Sequence, residues 1–263
     1  MRHSTTKTLA SLVASSLFIL SPNVATAEKT ETATLKMRFV YGDDVPTLSS
    51  SEGQENATGS SNTISNPRLM IDPESKGIRS VAVYAFTGRG GSKFKRDPSV
   101  KVKRQLVAEN GQLQPRIVLA RAGDTLEVTN KDGTGYNLNF GFFANRGMNL
   151  VLPPGGQKAT SIALSEPAPI EIACNIRAST NAHVIVLDHP FAAISDQDGK
   201  IRIDGLPVGS EVVFKVYHEL ASIERVNLKG TSVEWKRSRF GIELSPGVND
   251  LGDVVVSGKS FVD

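Results

Sequence analysis

The sequence predicts an all-β protein. Short apolar stretches recur at the spacing of sandwich strands, and Gly, Pro, Asn and Asp turns separate them. No segment beyond residue 27 sustains the 3.6-residue period of a helix. The composition agrees, with Gly 23 and Pro 13 among 263 residues, and a 39% hydrophobic fraction is enough to fill a core.

The first 27 residues have the layout of an export signal. Arg2 and Lys7 form a positive start, Leu9 to Leu20 an apolar run too short to span a bilayer, and Ala25-Thr26-Ala27 a cleavage site. Cleavage near Ala27 predicts a periplasmic or secreted protein whose mature part has no transmembrane segment. Arg2 and Lys7 are the only charged residues in that segment, so its removal lowers the formal charge from +3 to +1. The mature chain is nearly neutral, with its positive charge gathered locally.

Leu35 to Tyr41 alternates apolar and polar positions, as a half-buried strand does. Thr47 to Asn66 is nearly all Ser, Gly, Asn, Thr, Glu and Gln and reads as a long mobile loop over 47–66. Ile78 to Phe86 returns to strand chemistry. A basic stretch follows, with Arg89, Lys93, Lys95, Arg96, Lys101, Lys103 and Arg104 opposed only by Asp97. Val100-Lys-Val-Lys103 sets its lysines on one face, the pattern that protects a sheet edge from pairing. The functional alternative is a surface for envelope proteins or an anionic polysaccharide. Nucleic acid is not expected, because aromatic interleaving is missing and the protein is exported.

Strands are then expected at Ile117–Leu119, Thr125–Val128, Ser161–Leu164, Ile170–Ile172 and His183–Leu187. Ile201–Ile203, Val212–Tyr217, Gly241–Leu244 and Asp253–Val256 continue the series. The single cysteine, Cys174, excludes an intramolecular disulfide framework, a Cys-based zinc site and a CxxC redox pair.

Two segments carry a family resemblance. Asn130-Lys-Asp-Gly-Thr-Gly-Tyr-Asn137 resembles the N-x-D-x-x-x-H-N segment of cupredoxins, whose histidine is a copper ligand. Ile170-Glu-Ile-Ala-Cys-Asn-Ile-Arg-Ala-Ser-Thr180 resembles their ligand loop, where His and Met follow the Cys. The similarity is nearest to exported bacterial proteins whose loop reads C-x-I-H-P-W-M, and it implies a cupredoxin-like Greek-key β-sandwich over 100–188. It also implies the positions of the family copper site: Tyr136 for the first histidine, Cys174, Arg177 for the second histidine and Thr180 for the methionine. Only Cys174 is retained. Copper selects imidazole and thiolate donors, and arginine offers a cation in place of a lone pair. No metal and no other cofactor is therefore expected, with copper bound only if Cys174 finds unexpected partners.

A second resemblance covers the flanks. Ala193-Ile-Ser-Asp-Gln-Asp-Gly-Lys-Ile-Arg-Ile-Asp-Gly-Leu-Pro-Val-Gly209, followed by Val212 to Tyr217, resembles a carboxypeptidase regulatory-like (transthyretin-type) β-sandwich. It implies that strands from 34–86 and 190–257 form one sandwich with the cupredoxin-like domain inserted or packed edge-on. Two tandem domains are the alternative.

Cys174 is expected to be a small buried hydrophobe; the alternative is a reactive thiolate with Arg177 lowering its pKa. His183, His189 and His218 are expected to tie down loop backbone, since their spacing matches no ligand motif. No G-x-S-x-G elbow, HExxH or P-loop occurs, so no enzyme is expected. The reading is an exported, non-catalytic binding or scaffolding protein; the alternative is a periplasmic copper electron-transfer protein.

Overall fold

A computed structural model describes Met1 and residues 31–43, 69–94 and 101–261. The export signal, the 47–66 loop, Lys95 and Arg96 lie outside the described residues. The described chain is all-β, its one helical turn being the 3-10 segment Gly258–Ser260.

The strands run in order as β1 (Ala33–Tyr41), β2 (Ala82–Ala85), β3 (Lys103–Glu109), β4 (Gln112–Gln114), β5 (Ile117–Arg121) and β6 (Thr125–Asn130). There follow β7 (Tyr136–Phe140), β8 (Met148–Leu152), β9 (Gln157–Ser161), β10 (Ile170–Cys174), β11 (Asn181–Leu187) and β12 (Ala192–Ile194). The last are β13 (Lys200–Leu206), β14 (Glu211–Tyr217), β15 (Arg225–Leu228), β16 (Thr231–Glu234), β17 (Arg239–Glu243) and β18 (Gly247–Val256).

They form four sheets. Sheet I has the order β13-β1-β18-β15-β16 and sheet II the order β12-β2-β14-β17. Sheet III is β5-β11-β10-β7-β8 and sheet IV is β4-β3-β6-β9. Sheets I and II use strands from residues 33–85 and 192–256, whereas sheets III and IV use 103–187.

The side chains define how the sheets stack. In β1 every second residue, Ala33 to Tyr41, is buried and the intervening ones are half-exposed, so one face meets the core between sheets I and II. There Trp235 stacks on Phe240 at 4.5 Å between ring centroids and meets Phe39 edge-on. Strand β2 is buried at all four positions. Val83 and Ala85 join that first core, while Ala82 and Tyr84 face Ile117, Ile185 and Leu187 of sheet III. Strand β11 is likewise two-sided, sending Ala182, Val184 and Val186 into the core between sheets III and IV. The result is a four-layer stack in which β2 of sheet II and β11 of sheet III are covered on both faces, and these two strands accordingly read as continuous apolar runs.

The turn at Asp198-Gly199 locks β13 against β1. The Asp196 carboxylate accepts from Asp198 N–H (3.0 Å) and Lys200 N–H (2.8 Å), and Gly199 C=O accepts from Phe39 N–H at 2.8 Å. Gly199 has φ +80° and a Cβ there would stand 2.1 Å from Phe39 O, so only glycine fits.

Three expectations need correction. Ser161–Leu164 is not a strand: β9 ends at Ser161, and Ile162 turns under the 122–124 loop, accepting from Gly123 N–H at 2.6 Å. The side chain of Asn145 then clamps Leu164 through both its backbone groups, at 2.7 and 2.9 Å. The basic stretch is not one free edge. Lys103 pairs with Glu127 at 2.9 Å, and Arg104 with fully buried Asp124 at 2.8 Å. Finally β7 and β8 pair as a hairpin that the strand pattern misses, because Asn137 and Asn139 interrupt its apolar run.

Candidate functional site

The site is built from three loops at one end of sheets III and IV. Asn130, buried at the end of β6, shapes the first of them. Its Nδ2 donates to Thr134 O (2.8 Å) and Pro153 O (2.9 Å), and its Oδ1 accepts from Asp132 N–H (2.9 Å). This Asx-type bonding aims the Asp132 carboxylate at the β3–β4 turn. Asn110 and Gly111 occupy that turn with φ of 54° and 76°, the left-handed pair of a tight hairpin. Asp132 accepts from Asn110 N–H at 2.7 Å and from Gly111 N–H at 2.9 Å.

Tyr136 opens β7 and its ring is fully buried. Its hydroxyl donates to Asp132 Oδ2. From the β10–β11 loop, Arg177 places its guanidinium 5.6 Å from the Tyr136 ring centroid and donates through Nη2 to Thr134 Oγ1 at 3.0 Å. The loop is closed by Cys174 N–H donating to Thr180 O (3.0 Å) and Thr180 N–H donating to Arg177 O (2.9 Å). The buried Thr180 hydroxyl donates to Gly111 O at 2.6 Å. Cys174 ends β10 opposite Leu138 and is buried in the core between sheets III and IV.

The four positions singled out by sequence, Tyr136, Cys174, Arg177 and Thr180, are thus gathered at one end of one sandwich. Asp132 and Gly111 link them; Asp132 stands within the N-x-D segment without a role assigned to it from sequence, and the Asn110-Gly111 pair is the local signal for the turn that it caps. Hydrogen bonding from Tyr136, then from the Gly111 backbone, holds the Asp132 carboxyl below the usual carboxylate range. Burial, followed by the Asp132 hydrogen bond and charge, pushes the Tyr136 hydroxyl up. The phenol stays protonated and the carboxylate ionised at neutral pH.

These residues do not fit a copper ion. Tyr136 is tied to Asp132 and Thr180 to Gly111, Arg177 is a cation, and among the described residues the core cluster around Cys174 contains no histidine. His183 cannot substitute: it lies on the face of β11 turned to sheet II, with its ring 5.4 Å from that of Tyr217. Among the described residues no three His, Cys, Asp or Glu side chains converge as a metal-ligand group.

The other histidines hold backbone. His189 Nε2 donates to Ala85 O at 2.9 Å while Nδ1 accepts from Phe191 N–H at 3.2 Å, which fixes a neutral tautomer. His218 Nδ1 accepts from Leu220 N–H at 3.2 Å, and burial pushes its pKa down to about 4. The unfolded chain, with a histidine near 6.5, therefore binds the proton more readily than the folded one. Stability is fully present above pH 6.5 and falls as pH drops towards 4, by on the order of 3 kcal/mol for this group. Thermal melts across that range should lose much of their acid slope in His218→Gln.

Beside Arg177 opens a cleft of about 1200 Å³. It is lined by Arg79, Ser80 and Ser195 to Asp198 together with Asn110 to Gln112, Gln114 and Arg177.

No family model and no curated protein matches the chain. The solved structures similar to it include the Cu(I) form of a mutant amicyanin, at 12% identity and TM-score 0.29, covering 36% of this chain and 92% of that one. A purple cupredoxin from Nitrosopumilus maritimus is 16% identical at TM-score 0.27, with 31% and 97% covered. A copper-containing nitrite reductase from Thermus scotoductus SA-01 is 13% identical at TM-score 0.29, with 36% and 24% covered.

Proposed function

We propose that this protein is an exported, non-catalytic binding or scaffolding protein built on a cupredoxin-like sandwich whose copper site has been replaced. In this reading residues 100–188 are the cupredoxin-like domain, set into a carboxypeptidase regulatory-like sandwich formed by 34–86 and 190–257. The observation that carries it is the Tyr136–Asp132 hydrogen bond under the Arg177 guanidinium. A phenol and a cation, Tyr136 and Arg177, occupy two positions where the family resemblance puts metal donors, and the Asp132 carboxylate engages the phenol. What that end of the sandwich presents outward is Arg177 and the adjoining cleft, and the ligand is read as binding there.

The export reading rests on residues 1–27 and implies a periplasmic or secreted location. Of the basic residues weighed for an anionic partner, Arg89, Lys93 and Lys101 are described and exposed, whereas Lys103 and Arg104 are engaged by carboxylates.

Metal analysis of protein purified from copper-supplemented cultures tests the reading. Copper far below one ion per chain is expected, and one ion per chain held through gel filtration overturns it.

A further inference from the structure

We propose that the cleft beside Arg177 takes an extended peptide bearing acidic side chains; this rests on the binding-protein reading and names its ligand class. Three features of the cleft converge on that occupant.

The first is charge. Its two aspartates are already engaged, Asp196 by the backbone N–H groups of its own turn and Asp198 by Lys200 Nζ at 2.8 Å. Arg116, at the base, is held by Glu219. The cations left to meet a ligand are Arg79 and Arg177, both of which line the cleft. Arg79 is exposed and has no carboxylate partner among the described residues. Among the described residues Arg177 donates to protein through Nη2 alone, and its guanidinium lies beside Gly111. Two guanidinium groups lining one cleft favour an anionic ligand.

The second feature is the strand edges. β4 is the outer strand of sheet IV and β12 the outer strand of sheet II, and residues of both line the cleft. An outer strand offers unpaired backbone groups to an added strand. Gln112 and Gln114 are exposed on the same face of β4, about 7 Å apart, which is the two-residue repeat of an extended peptide. Their amides both donate and accept, as peptide groups require.

The third feature is apolar. Met70, Pro115 and Ile194 supply patches between the polar groups, suited to the alternate side chains of a strand. Among the described residues no aromatic ring lines the cleft on which a sugar could stack.

The test is fluorescence anisotropy with a fluorescein-labelled peptide of alternating glutamate and valine, run in EDTA so that the result does not depend on copper. Saturable binding is expected, with Arg79→Glu weakening it by about tenfold or more, and a lysine–valine peptide leaving the signal unchanged. Arg79→Glu touches nothing in the Tyr136 cluster, so an unchanged melting temperature should accompany the loss. No saturable binding of the acidic peptide, equal binding by Arg79→Glu, or binding of oligogalacturonate in place of the peptide would overturn the proposal.

Discussion

Replacing Arg116 by alanine is expected to destabilise the protein by about 3–5 kcal/mol. Its Nε donates to Glu219 Oε1 at 2.9 Å and its Nη2 to Glu219 Oε2, a bidentate pair in which both side chains are at least nine-tenths buried. The guanidinium also donates to Asn181 O and Asn181 Oδ1, each at 2.7 Å. Arg116 leads into β5 and Asn181 begins β11, both of sheet III, whereas Glu219 follows β14 of sheet II. The pair therefore pins the two middle layers of the stack together. Alanine leaves the Glu219 carboxylate buried without its counter-charge, and the penalty is that of the stranded charge. Urea melts of Arg116→Ala and of the double variant Arg116→Met with Glu219→Met separate the two effects. The double variant should recover most of the loss, because two apolar groups leave no stranded ion. A loss below about 1 kcal/mol in Arg116→Ala would mean that the pair behaves like a surface salt bridge.

The second large effect is expected at Tyr136. Tyr136→Ala removes a fully buried ring and opens a cavity against Leu138 and Cys174, at a loss of about 3–5 kcal/mol. Tyr136→Phe keeps the ring and deletes only the hydroxyl, while Asp132 retains the N–H groups of Asn110 and Gly111. That variant should lose about 1 kcal/mol. The difference between the two is the informative quantity. A large gap means that the ring fills the site as core, and equal losses would mean that the hydrogen bond alone holds it. The Asp132 carboxyl titrates lower when folded, so its stabilising contribution is present at neutral pH and is lost as pH falls through its depressed pKa.

Alternation makes β1 and β14 legible, because each has one face in a core and one towards solvent or a partly open layer. The continuous apolar runs of β2 and β11 mark burial on both faces, but which sheet covers each face depends on contacts far apart in the chain. Strands β7 and β8 are hidden because outward-facing Asn137 and Asn139 dilute the apolar signal, although Tyr136, Leu138 and Phe140 are all buried. At the site, the resemblance picks out the four clustered positions. It does not disclose what holds them, since Asp132 acts through a turn contributed by the β3–β4 hairpin more than 20 residues away. Arg116 and Glu219, 103 residues apart, are silent for the same reason: a buried ion pair has no local sequence signature.

Tyr136 and Arg177, at two positions where the family resemblance puts copper donors, form a cluster with the Asp132 carboxylate. The most direct measurement of its consequence is optical titration of the purified, reduced protein with Cu(II), in parallel with Cys174→Ala. The account predicts no thiolate-to-copper charge-transfer band in the visible and identical titrations for the two proteins. An intense band that saturates at one copper per chain and vanishes in Cys174→Ala would contradict it.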